Sequence, residues 1–253
     1  MSDLAGPPSS PVAVPPIVLD LLAAQGVRDT SLVPVWQNGA GGLTFSVAER
    51  DGHPSFFFKH NPPGSGESLA DEANRLRWIA GKHPAPEVVA LEISDGHEVL
   101  MTKAMSGTSA VDEKWKNDPS VALRALGEGL RRLHELPVDD CPYDWGVEHR
   151  VRADSITPQA LAAIGEQPPV DRLVVCQGDP CVPNTLIAED GSFLAHVDLA
   201  RLGVADRWAD LAVMTLSFRW NYANYDEADF WAAYGIEPDE RRIAYYRALW
   251  NAE

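Results

Sequence analysis

"VVCQGDPCVPNTLIAEDGSFLAHVDLA", residues 174–200, is the stretch on which the reading of this chain turns. An apolar run leads to Asp179, a proline-containing loop follows, and Asn184 stands at the end of a D-x-x-x-x-N spacing. TLIAEDGSFLAHVD then reads as two short strands around a turn at Gly191, delivering a second acid, Asp198. Asp and Asn both offer the hard oxygen donors that suit Mg²⁺. An Asp shortly before an Asn is also what a simple Asx turn shows. The fixed spacing, joined to a strand-borne second Asp, is what sets the stretch apart.

Working outward, no G-x-x-x-x-G-K-[ST] occurs, so a P-loop is excluded. A different order of parts is present. Gly39, Gly41 and Gly42 mark a glycine-rich turn, Lys59 ends the strand-like run FFFKHN, and Glu72 lies in the helical segment SLADEANRLRWIAGKH. Handling a nucleoside triphosphate without a P-loop needs a glycine turn over the phosphates and a strand lysine on them. It also needs a helix carboxylate holding that lysine, a base, and metal ligands. Singly, each part has a plain alternative: hairpins use glycine, edge strands use lysine, and helices carry solvated Glu. Their joint order, ending in Asp179 as base with Asn184 and Asp198 as metal ligands, favours the chemical reading.

The rest of the chain supplies the frame. The 253 residues are 45% hydrophobic and 23% charged, ordinary for a globular protein large enough for two lobes. No apolar run approaches membrane-spanning length, and the first residues lack the pattern of a secretory signal, so a cytoplasmic location is expected. Cys141, Cys176 and Cys181 form no disulfide framework; a zinc site on Cys176 and Cys181 lacks a fourth ligand, leaving packing thiols. The net charge of −16 makes nucleic acid and anionic membrane poor partners. It suits either plain solubility or a field that attracts a cationic small molecule. Residues 1–16, rich in Pro and Ala, read as a loose arm. Residues 17–103 read as a small antiparallel sheet with one inserted helix and an Asp51-Gly52 hairpin, and residues 104–253 as mainly helical.

QGDPCVPN followed by HVDLARLGVADRWADLA resembles the aminoglycoside phosphotransferases, antibiotic-inactivating relatives of protein kinases. LADEANRLRWIAG, RRLHELPVDDCPYD and YGIEPDERRIAYYR extend the resemblance over roughly residues 33–246. It implies an α+β, bilobal kinase-like fold that uses ATP and Mg²⁺ and phosphorylates a hydroxyl of a cationic aminoglycoside, of streptomycin 3″ or 3′ type. On that resemblance Asp179 is the base and Asn184 and Asp198 the magnesium ligands. Lys59 and Glu72 form the phosphate-gripping pair, and backbone near Thr102 to Ala104 holds the adenine. Arg201 lies near the transfer site, and Asp210 braces the catalytic loop. No oligomeric state is implied.

Several positions depart from that pattern. Gln177 stands where the family has His; it is expected to support the loop through its amide hydrogen bonds and to lower activity or stability without abolishing either, and Ala200 replaces a Gly. Such a swap is costly only if the position needs φ > 0. Ala40 stands where many relatives have a phosphate-touching Ser. The segment from Pro137 to Val175 is shorter than in the 3′ enzymes, and the tail ALWNAE places Trp250 and Asn251 where relatives carry carboxylates. Glu148, Asp226, Glu227 and Glu253 are candidate replacements for binding substrate amines, with Asp229 beside them. Trp220, Tyr222, Tyr225 and Trp231 read first as core or surface packing, with an aromatic wall for an aminocyclitol as the alternative. A kinase for another amino sugar or aminocyclitol, and a nucleotide-binding pseudokinase, are the competing readings.

Overall fold

The structure, a computed structural model, describes residues 6–8, 10–27, 31–48, 54–153 and 156–252. They divide into two compact units. The first runs to Ala80 and resumes over Pro86–Met105; the second comprises Gly81–Ala85 and the chain from Ser106 onward. The segment Gly81–Ala85 joins the second unit because the backbone N–H of His196 donates to the Pro84 carbonyl (3.2 Å) and His83 bonds His196 ring to ring (3.0 Å).

The first unit contains α1 (Pro16–Ala24), β1 (Ser31–Gln37), β2 (Leu43–Ala48), β3 (Pro54–Asn61), α2 (Leu69–Ile79), β4 (Val88–Ser94) and β5 (His97–Lys103). The strands form one antiparallel sheet in the order β1-β2-β3-β5-β4. Side chains alternate across a strand, and β3 shows what that achieves. Phe58, opposite Met101, joins Phe45, Val47, Val99 and the α1 residues Val18 and Leu21 in one core. Lys59, opposite Leu100, turns to the other face and meets α2. Helix α2 begins where the Ser68 hydroxyl accepts the Asp71 N–H (3.2 Å) and buries Leu69, Ala73, Leu76 and Ile79. Residues 10–15 are not a loose arm. Val12 and Val14 pack on the sheet core, and Gly6 exchanges two hydrogen bonds with Gln37 (3.0 and 2.8 Å). Extended proline-rich chain is well suited to such edge pairing. The Asp51-Gly52 hairpin lies outside the described residues.

The second unit contains β6 (Thr108–Ser109), α3 (Glu113–Lys116), α4 (Pro119–His134), α5 (Val147–Arg152), α6 (Pro158–Ile164), β7 (Leu173–Cys176), β8 (Thr185–Ile187), β9 (Phe193–His196), β10 (Gly203–Asp206), α7 (Trp208–Asn221), α8 (Glu227–Tyr234) and α9 (Glu240–Trp250). Helix α4 is capped by Asp118, has Pro119 in its first turn, and buries Leu123, Leu126, Leu130 and Leu133. Strand β7 pairs with β10, and β8 pairs with β6 and β9. The loop from β7 to β8 therefore emerges beside the segment linking β9 to β10. The packing reading fits most of the aromatic residues weighed as a substrate wall. Tyr222 and Trp231 are buried, Tyr222 Oη donates to the Ala110 carbonyl (2.8 Å), Tyr225 packs on Phe218, and Trp220 alone of the four is exposed. Among the described residues no helix is long and apolar enough to cross a membrane.

Candidate active site

In the first unit, Lys59 Nζ donates to both oxygens of Glu72, at 2.8 and 2.9 Å, and Glu72 is buried. A bidentate, charge-assisted contact of this kind fixes an ammonium in one place. Lys59→Met would leave the buried carboxylate without its cation, at a cost of about 3 kcal/mol. We expect a lowered Tm and weaker Mg·ATP binding by calorimetry, with Glu72→Gln relieving part of the stability loss in the double variant.

The glycine turn is closed upon Asn38, a residue the sequence did not single out. Its Oδ1 accepts from Ala40 N (3.1 Å) and Gly42 N (2.6 Å), its carbonyl accepts from Gly41 N (3.2 Å), and its Nδ2 donates to Glu67 (2.7 Å). A phosphate reaching these N–H groups must displace the carboxamide. A Cβ at Gly42 would come within 2.6–2.9 Å of the Asn61 and Asn38 side-chain ends, so a larger residue there would have to push these carboxamides aside. At the end of β5, Thr102 pairs with Phe57 and Val88, and Ala104 N–H is already bonded to Ser55 O (2.9 Å). Ala104 therefore does not present a ready donor to an adenine.

In the second unit the β7–β8 loop is wired to its neighbours. Asn184 Nδ2 donates to the Asp179 carbonyl (2.9 Å), which leaves its amide oxygen for a ligand. The Asn184 carbonyl accepts Val197 N–H (2.9 Å), bringing Asn184 alongside Asp198. Asp198 itself adopts φ 59°, a left-handed conformation that Asp tolerates better than most residues. Gly178 has φ 88°, and a Cβ there would collide with the Arg201 carbonyl. One oxygen of Asp179 is buried with no protein partner. Burial, and then the Asp198 charge, raise the Asp179 pKa; the Cys181 thiol and Arg201 oppose the rise.

Gln177 is fully buried and holds the loop together. Its Nε2 donates to the carbonyls of Val197 (3.1 Å) and Asp198 (3.2 Å), and its Oε1 accepts Asp179 N–H (2.6 Å). A neutral imidazole has one donor and one acceptor and can replace at most two of these bonds. Gln177→Leu would remove the partner of three part-buried backbone groups, a loss of about 2 kcal/mol or more. Thermal denaturation should place Gln177→His between that variant and the parent. Asp210, on α7, accepts Gln177 N–H at Oδ2 (2.6 Å) and Gly178 N–H at Oδ1 (3.1 Å).

Comparison with known proteins gives the family and the fold. The sequence profile of the phosphotransferase enzyme family matches residues 33–246. The streptomycin 3″-kinase of Streptomyces griseus is 31% identical over 254 aligned residues, covering 83% of this chain and 92% of the relative. An aminoglycoside 3′-phosphotransferase of Niallia circulans is 30% identical, covering 83% and 88%. The solved aminoglycoside phosphotransferase APH(3″)-Id of Streptomyces rimosus has a TM-score of 0.72 at 27% identity, covering 92% of this chain and 96% of its own. The chain belongs to the phosphotransferase enzyme family. Its fold is the α+β, kinase-like one of those solved relatives.

Against the phosphotransferase pattern, the departures acquire physical content. Ala200 is harmless on backbone grounds, because Asp95 and Asp198 are the only non-glycine residues with positive φ among those described. Trp250, where a carboxylate was expected, places its ring 5.3 Å from the Arg201 guanidinium, and Trp145 lies 5.6 Å from the same group. Both are within cation–π range. The candidate substrate acids have other local duties. Glu148 sits almost fully exposed on α5 near Arg152 (3.7 Å), Asp226 caps α8 by accepting Ala228 N–H (2.9 Å), and Glu227 lies in the first turn of that helix. Glu253 lies outside the described residues.

Proposed function

We propose that this phosphotransferase transfers the γ-phosphoryl group of ATP to a hydroxyl of an aminoglycoside, of 3″ or 3′ type, in the cytoplasm. The observation that carries the reading is the loop in which Asp179, Asn184 and Asp198 are held by backbone hydrogen bonds, with one Asp179 oxygen buried and unpartnered. The names of the relatives supply the acceptor class.

The donor set fits Mg²⁺: two oxygen-bearing side chains, Asn184 and Asp198, stand on adjacent backbone. When bound there, the ion neutralises phosphate oxygens and helps to orient them. The chain's own residues do the rest. Lys59, fixed by Glu72, holds phosphate oxygens by its ammonium. Asp179 orients the acceptor hydroxyl and receives its proton; the hydroxyl oxygen bonds to the γ-phosphorus as the bond to the β-phosphate oxygen breaks, releasing ADP. Arg201 places a positive charge beside Asp179, suited to the equatorial oxygens of the transferring group.

A second reading, a kinase for a less cationic amino sugar or aminocyclitol, is favoured by Trp250 in place of a tail carboxylate. ADP release with Mg·ATP should be followed against streptomycin, kanamycin, neomycin, hygromycin and several amino sugars, with Asp179→Asn as the blank. Stimulation by one aminoglycoside, absent in the variant, is expected. Stimulation only by a simple amino sugar would replace the first reading with the second, and silence throughout with Mg·ATP bound would leave a nucleotide-binding pseudokinase.

A further inference from the structure

Arg201 is held at its backbone first. A Cβ on Gly178, the residue before Asp179, would collide with the Arg201 carbonyl and Cβ, so the two segments run in direct contact. The half-buried Arg201 side chain then meets two indole rings. Its guanidinium lies over Trp250, 5.3 Å from the ring centroid, and over Trp145 at 5.6 Å. Neither ring arrives on loose chain. Trp145 N–H donates to the Val204 carbonyl (3.0 Å) and Val204 N–H to that of Tyr143 (2.8 Å), tying the segment before α5 to β10. The Trp145 ring also takes the guanidinium of buried Arg150, at 5.0 Å. Trp250 ends α9, which buries Ile243, Tyr246 and Leu249. That helix is pinned to α7 by Arg247, whose guanidinium donates to the Ala212 carbonyl (3.2 Å) and to Thr215 Oγ1 (2.8 Å).

We propose that Trp145 and Trp250 are positioning residues for phosphoryl transfer, holding the Arg201 guanidinium against two indole rings beside the loop that carries Asp179. The face of an aromatic ring is its negative side and attracts a cation lying over it, and the flat guanidinium stacks there better than an ammonium would. An arginine has many rotamers, and fixing one of them costs entropy. Two rings on rigid elements meet that cost in the folded protein, before any substrate is bound. Negative charge on the equatorial oxygens of the transferring group then finds a cation already in place, with no reorganisation at the moment of reaction. The tail thus delivers an aromatic face to an arginine, where a carboxylate was expected to face a substrate amine. This role rests on the phosphotransferase reading, in which Arg201 serves the transferring group, and adds to it the residues that place that arginine. ADP lacks the transferring group, so the two rings should act on rate and leave ADP affinity alone.

The test compares Trp250→Leu, Trp250→Phe and Trp145→Phe, each well below its own Tm. For Trp250→Leu we expect kcat to fall about 3- to 30-fold, with the acceptor KM and the Kd for Mg·ADP within about twofold of the parent. Trp250→Phe, which keeps an aromatic face, should recover most of that loss, and Trp145→Phe should show a similarly small one. In an Arg201→Ala background, Trp250→Leu should add little. A second readout needs no acceptor. In protein labelled with ¹⁵N-arginine, the Nε–H signal of Arg201, assigned by its absence in Arg201→Ala, should stand upfield because of the two ring currents. It should lose much of that displacement in Trp250→Leu and keep most of it in Trp250→Phe. If Trp250→Leu does not fold, the two Phe variants carry the comparison through the size of that displacement. An Arg201 signal without the upfield displacement, an unchanged kcat in Trp250→Leu, or full additivity with Arg201→Ala would overturn the proposal. So would a raised acceptor KM at constant kcat, which would make Trp250 a substrate contact. A displaced signal that responds to Trp250, in a protein that phosphorylates nothing, would instead uphold the aromatic hold on Arg201 and sink the functional reading.

Discussion

Asp179→Asn is expected to lower turnover by about 10²- to 10⁴-fold, the usual range for loss of a positioned acid–base group, and at the same time to raise stability. The second effect follows from the environment of the carboxyl. Burial and the neighbouring Asp198 lift its pKa above the ordinary carboxylate value. A group whose folded pKa is raised contributes stability below its unfolded pKa and loses that contribution as pH rises through the folded value. At neutral pH, without nucleotide or metal, the fold therefore penalises ionisation of this carboxyl. Asn has the same shape and no charge, and the backbone bonds of residue 179 to Gln177 and Asn184 do not depend on the side chain. Thermal denaturation in EDTA should show the variant above the parent at pH 7, with the gap closing in acid. A variant less stable at pH 7, or one that retains full turnover, would remove Asp179 from the role of base.

The parts of this molecule that local rules govern were legible in the sequence. FFFKHN read as a strand ending in Lys59 and SLADEANRLRWIAGKH as a helix carrying Glu72, and β3 and α2 stand there. The D-x-x-x-x-N spacing and the Gly191 turn marked the loop and hairpin that bring Asn184 beside Asp198. What escaped was contact across long stretches of chain. Nothing near His134 announces Asp210, 76 residues away, and nothing near Arg201 announces Trp145 or Trp250. Of the aromatic residues weighed as a wall, Tyr222 and Tyr225 take the packing reading instead: their rings meet Phe218 and each other beyond the end of α7. Gln177 was expected to support the loop through its amide, and the primary amide makes three hydrogen bonds there, whose partners no local pattern names.

Asp198 offers the other large effect, and its backbone dictates which substitution tests it. At φ 59° an Ala would add strain of about 1 kcal/mol, whereas Asn visits this region routinely. Asp198→Asn therefore removes the charge with least disturbance of the backbone. Turnover should fall about 10³-fold or more, because an anionic ligand for Mg²⁺ is lost where several kcal/mol of charge stabilisation is needed. The same substitution removes the like charge that helps to raise the Asp179 pKa. The acidic limb of the residual activity should accordingly move to lower pH, even as the rate collapses. These opposite signs separate the two roles: a residue that only tuned the base would shift the limb without the collapse, and higher Mg²⁺ would not help. Partial recovery at raised Mg²⁺, together with the lowered limb, is the result expected of a metal ligand that also faces the base.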